Sequence, residues 1–176
     1  VQLDNIILPS EMDAIIKGHA EIGTRINLSG RTIVGHDFDG ASLENSTLTD
    51  SQFISCNFRK TRLSGSDLKG STFEQCSLQN AFLDSCALKH TIFSECVMID
   101  TCFNSSNMSH STISRGSAVG SDFSGVDLSG SKLLWVVFGE TGTFSLFEGA
   151  KFLNTVSRYC NFDHVDARLV DFSGAS

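Results

Sequence analysis

Every fifth residue from Leu28 to Phe138 is apolar, 23 positions in succession without a polar interruption. An α-helix repeats near 3.6 residues and a strand at 2, so neither accounts for a strict period of five. A fixed period is the mark of a solenoid, in which one repeat cannot bury its apolar side chain alone and stacks on its neighbours to do so. Apolar residues make up only 40% of the chain, too few for a run of this length to arise by chance.

The flanking positions carry a second pattern. Two residues before each apolar centre stands a small residue, as at Ala41, Ser46, Ser51, Cys56, Thr61 and Ser66. Directly before the centre, Asp or Asn recurs at Asp37, Asn57, Asp67, Asn107, Asp122 and Asp127. Stretches such as Ser66-Asp67-Leu68-Lys69-Gly70 and Ser121-Asp122-Phe123-Ser124-Gly125 closely resemble the A(D/N)Lxx unit of the pentapeptide-repeat family. The resemblance runs from about Ile26 to Ser176. It implies an all-β fold, a right-handed quadrilateral β-helix with four pentapeptides to a coil. The centre and the small residue would point inward and the other three positions would face water.

Four pentapeptides to a coil would stack residues 20 apart, and the sequence sorts itself accordingly. Leu28, Leu48, Leu68, Leu88, Met108 and Leu128 form one interior column, while Ile33, Phe53, Phe73, Phe93, Ile113 and Leu133 form a mostly aromatic second. Segregation by shape is what layers about 4.8 Å apart favour.

Residues 1–25 lack the beat and are expected to form an N-terminal cap. There Ser10-Glu11-Met12-Asp13, followed by Ala14-Ile15-Ile16, reads as a capping box opening a short helix. Such a helix would shield the exposed edge of the first coil. The β-helix is expected over residues 26–176, with a frame break at 139–146 after which the beat resumes at Phe147, Phe152 and Phe162. The break reads as a bulge or small loop carrying Phe144 and Leu146. The chain begins with Val and stops within a repeat, which reads as a piece of a longer protein, with pairing of two copies through the open C-terminal end as the alternative.

Composition narrows the function classes. The formal charge is −7, which argues against direct nucleic-acid binding. No apolar run is long enough to span a membrane. Of six cysteines, Cys56, Cys76, Cys86, Cys96 and Cys160 fall in the small inward slot, where a free thiol behaves as a small hydrophobe; a reducing cytoplasm is the expected compartment. Cys102 is the outward one. His90 and His110 are 20 apart and should stack, but their column offers only these two imidazoles where zinc takes three or four ligands. No phosphate-cradling glycine loop, CxxC or HExxH is present. The expectation is a non-enzymatic protein with no cofactor and no metal.

Binding is the better class, because a β-helix offers flat and rigid faces. Around the third column the outward positions change from polar to apolar along the axis, from Asp37 and Asp39 to Val97 and Ile99, then Val119 and Val137. Leu134 and Trp135 stand at the corner leading into this face. Contiguous outward apolar residues mark contact surfaces, and a lone Trp is a frequent anchor. Val97, Ile99, Val119, Leu134, Trp135 and Val137 are therefore the candidate protein-binding residues, with a protein of unknown identity as partner. Cover of this face within the same protein, by the 139–146 loop, the N-terminal helix or a missing C-terminal segment, is the alternative reading.

Two functional resemblances bear on the partner. Quinolone-resistance (Qnr-type) pentapeptide proteins are dimeric β-helices that mimic DNA and bind bacterial DNA gyrase, which implies gyrase as an alternative partner. Mimicry requires a strongly negative surface, whereas residues 28–138 hold 11 acidic and 8 basic residues, with a basic band at Arg59, Lys60, Arg62 and Lys69. β-Helix modules of secreted bacterial effectors dock host proteins beside a separate catalytic domain, and the repeat type is similar to theirs. Protein docking is the leading expectation and DNA mimicry the alternative.

Overall fold

A computed structural model of the chain describes residues 5–22 and 25–176; of the cap expected over residues 1–25, residues 1–4, 23 and 24 lie outside that range. In chain order the elements are β1 (Ile6–Ile7), α1 (Pro9–Ile22), β2 (Thr32–Val34), β3 (Gln52–Ile54), β4 (Thr72–Glu74) and β5 (Ile92–Ser94). They continue as β6 (Thr112–Ser117), β7 (Lys132–Val137), β8 (Ser145–Leu146), β9 (Val156–Arg158) and β10 (Val165–Asp166). Together they form a right-handed quadrilateral β-helix of about seven turns.

The first face is a parallel sheet in the order β1-β2-β3-β4-β5-β6-β7-β9. Its register sets Ile33 beside Phe53, then Phe73, Phe93, Ile113 and Leu133, each 20 residues from the last. The other faces are tied by one bridge per coil, as in the second-face row Asp37, Asn57, Ser77, Val97, Ser117 and Val137. Each pentapeptide bends at a residue with positive φ, glycine at Gly65 and Gly70 and a side-chain-bearing residue at positions such as Asn80 and His90. At Gly70 the demand is double, because a Cβ there would run into the Asp50 carboxylate reaching over from the coil above.

The pentapeptide centres are buried throughout, from Leu28 to Phe152. Phe53, Phe73 and Phe93 stack at 4.9 and 5.0 Å between ring centroids, as do Phe103, Phe123 and Phe147 at 4.9 Å. That distance is the strand spacing itself, so backbone ladder and ring stack reinforce each other. The small inward residues close the corners. Ser51, Thr61, Ser66 and Thr91 donate their hydroxyls to carbonyl oxygens 23 residues earlier, at 2.6–2.9 Å. The thiols of Cys76, Cys86 and Cys96 do the same at 3.1–3.3 Å.

The two ends differ. At the first, β1 extends the sheet and α1 buries Met12 over the opening coil, with Ile15 and Ile16 packed beside it. The helix starts at Pro9, and the Met12 N–H donates to the Leu8 carbonyl at 3.0 Å. Ser10 therefore lies inside the first turn and is not the cap that the sequence pattern suggested; a proline suits a first helical position, where its missing N–H has no partner to lose. At the other end the interior opens into a cavity of about 440 Å³ lined by Phe147, Phe152, Phe162, Val165, Ala167 and Phe172.

The frame break is an insertion of four residues. Asp122 pairs with Leu146, Leu133 with Ser157 and Val137 with Asn161, all 24 apart, and the spacing returns to 20 where Ser145 pairs with Val165. The extra residues form a turn in which the Thr143 N–H donates to the Glu140 carbonyl at 3.1 Å, with Gly142 at φ 88°. Leu146 consequently faces the third side of the coil with Asp122, and does not extend the second face.

Candidate protein-docking face

Trp135 stands at the corner between the first and second faces, in the left-handed conformation with φ 54°. Its side chain is driven outward because Leu133 before it and Val136 after it both take the interior. Trp135 is 54% exposed and stacks on Tyr159, which is 75% exposed, with ring centroids 5.0 Å apart and planes 11° from parallel. Tyr159 occupies the same corner one coil further on, 24 residues later. It is absent from the sequence-based candidate set, because only the four-residue insertion places it under Trp135.

Of the other candidates, Val137 (39% exposed) lies around the corner from Trp135, and Leu134 is half-buried beside it. Val97 (42% exposed) lies two coils above Val137, with Ser117 between them. Ile99 is half-buried. Val119 departs from the expectation: it is only 5% exposed. The inserted turn folds back over it, with the Thr143 methyl against Gly120 and the Ser145 hydroxyl donating to the Ala118 carbonyl at 3.1 Å. The loop thus covers one part of the expected face and leaves the Trp135 corner open. Phe144 remains exposed, its ring edge-on to His164 at 5.7 Å.

The corner column above Trp135 is polar and internally satisfied. Arg115 Nε donates to Glu95 Oε1 at 3.0 Å, and Gln75 Nε2 donates to Glu95 Oε2 at 3.0 Å. The Gln75 amide and then the Arg115 charge hold the Glu95 carboxyl below the usual carboxylate range. In a different corner column, His90 and His110 stack at 5.3 Å. Among the described residues no group of three His, Cys, Asp or Glu side chains is placed to hold a metal ion, and no helix is long and apolar enough to cross a membrane.

All six cysteines are free, and Cys56, Cys76, Cys86 and Cys96 are buried as their slot requires. Cys160, expected inward, is only half-buried, because it belongs to the last coil, where the interior opens.

A family model described as a pentapeptide repeat region matches residues 24–83 and 70–141, together more than half of the chain. No curated protein sequence matches. Among solved structures the chain is similar to two trypsin-treated forms of QnrB1, a plasmid-mediated fluoroquinolone resistance protein. One shares 17% identity over 87% of this chain and 84% of that chain, with a TM-score of 0.65. The other shares 15% identity over 87% of this chain and 91% of that chain, with a TM-score of 0.63. At such identity the likeness is one of fold.

Proposed function

This chain belongs to the pentapeptide-repeat family, and from that premise we propose that it is a non-enzymatic β-helical module that docks a protein partner at the Trp135 corner. The observation that supports this reading is the stacked and exposed pair Trp135 and Tyr159, with Val137 and Leu134 beside it. Aromatic anchors that are already ordered lose little entropy on binding.

The test is capture of partners from lysate with wild-type protein, Trp135→Asp and Tyr159→Asp in parallel. The variants keep the wild-type circular dichroism and lose the captured partner. Capture that survives both substitutions overturns the assignment of the corner. Val119→Asp is unsuitable as a control, since it would place a charge beneath the inserted turn.

DNA mimicry, with gyrase as the partner, ranks second on charge. A mimic needs an uninterrupted row of carboxylates at phosphate spacing. On the third face Glu44 is paired with Arg62 at 3.0 Å, and Glu148 and Asp166 share Arg168 at 3.1 and 2.8 Å. Recovery of gyrase subunits, indifferent to Trp135→Asp, would reverse the ranking. We also propose that the apolar cavity lined by Phe162 and Phe172 is a contact between two copies. Sedimentation equilibrium should give a dimer that Phe172→Asp dissociates, and a monomer at all concentrations removes that contact.

A further inference from the structure

Charge on this molecule is segregated around the Trp135 corner. The chain as a whole carries −7, yet residues 131–138 and 155–162, the stretches of two successive coils that form this corner, contain Lys132 and Arg158 and no carboxylate. Both cations are exposed. Among the described residues neither has an ion-pair partner. The nearest acid in the corner column, Glu95, is already engaged by Arg115 and Gln75.

The register of β7 on β9 sets Lys132 beside Val156 and Leu134 beside Arg158. The result is a checkerboard of two cations and two aliphatic side chains, about 4.8 Å between rows, bordered by the rings of Trp135 and Tyr159. Such a surface complements an extended segment in which acidic and apolar side chains alternate, since carboxylates would meet Lys132 and Arg158 while an apolar side chain packs on the ring edges. We propose that the partner presents an acidic peptide segment to this corner. The inference rests on the docking reading above and adds the chemistry of the partner.

A nucleic acid is the poorer fit. Bases need open ring faces to stack on, and here the two rings close on each other at 5.0 Å, which takes one face of each. The net charge of −7 also repels a polyanion at long range.

Trp135 is the single tryptophan of the chain, so its emission reports directly on the proposed site. The probe is a short Trp-free synthetic peptide alternating Glu and Leu, titrated against the full chain, with the Lys-for-Glu peptide and oligothymidylate in parallel. The acidic peptide should shift Trp135 emission saturably and bind more weakly as salt rises. The double reversal Lys132→Glu/Arg158→Glu should weaken it by about tenfold or more and transfer preference to the basic peptide, a gain that a misfolded variant would not show. No shift with the acidic peptide, an equal response to the basic one, or tighter binding of oligothymidylate overturns the proposal. A photocrosslinker at position 159 separates the two readings. Crosslinked partner together with a silent acidic peptide leaves docking standing and removes the acidic segment, whereas absence of both removes docking as well.

Discussion

At the scale of single residues, the corner positions are where chemistry and backbone compete. Over all corners of the β-helix Gly, Asn, Asp and Ser predominate and accept positive φ at little cost, but the Trp135 column carries long side chains at Gln75, Glu95 and Arg115, and Trp135 itself holds φ 54° with a bulky one. Such strain costs on the order of 1–3 kcal/mol, and stacking on Tyr159 offsets about 0.5–1.5 kcal/mol of it. Trp135→Asn should therefore leave stability in urea unchanged to within about 1 kcal/mol while docking is lost. A loss of several kcal/mol would show that the ring serves the core. Gly139 is the converse case, since a Cβ there would strike the Asp163 carbonyl oxygen. Gly139→Ala should cost about 1–3 kcal/mol by the same measurement. The buried thiols behave as apolar filler, and burial pushes the Cys86 thiol up to about 12 from an ordinary 9.0. Native protein treated with iodoacetamide should be alkylated at Cys102 and Cys160, with Cys56, Cys76, Cys86 and Cys96 protected until it unfolds, as peptide mass spectrometry would resolve. Because the folded value is the raised one, the stability linked to Cys86 is intact below pH 9 and is lost as pH climbs towards 12.

At the scale of elements, the period of five was enough to assign every centre from Leu28 to Phe138, because a buried column tolerates no polar member. The same counting failed at residues 139–146. Periodicity is read modulo five, so inserting four residues and deleting one leave identical patterns; only the change of stacking distance from 20 to 24 tells them apart. That ambiguity hid Tyr159 and made Val119 look outward. Phe144 and Leu146 were legible as departures from the pattern, but not the turn that carries them over Val119. The helix start was misplaced for a local reason, as Ser10 and Asp13 imitate a capping box while Pro9 already occupies the first helical position. Deleting residues 140–143 should restore the spacing of 20, keep the β-helix and bare Val119. The expected signature is increased dye binding with a loss of up to about 1.5–3 kcal/mol, and collapse of the circular dichroism would instead make the turn essential to the last coils. The Gln75, Glu95 and Arg115 ladder makes a second prediction at this scale. With its folded pKa depressed, Glu95 contributes stability above the ordinary carboxylate range that is lost as pH falls through the lower folded value. Glu95→Gln should flatten the acid limb of a melting curve plotted against pH.

At the scale of the molecule, stability is one-dimensional: each coil touches the coil above and the coil below, and helix α1 closes the first one. Nothing in that scheme depends on how many coils separate the two ends. Excising residues 60–79 joins Arg59 to Asn80 with the corner conformation preserved, since Lys60 and Asn80 already share it at φ 54° and 59°. The shortened protein should fold and retain the Trp135 corner, with a lower melting temperature. Residues 35 and 135 stand in one corner column five periods apart, so about 24 Å of rise separates the helix-capped end from the docking corner. Coil number is therefore a ruler graduated in steps of about 4.8 Å. Gaining or losing whole coils would slide the corner along the axis, moving whatever it holds nearer to or farther from the capped end without altering a single contact.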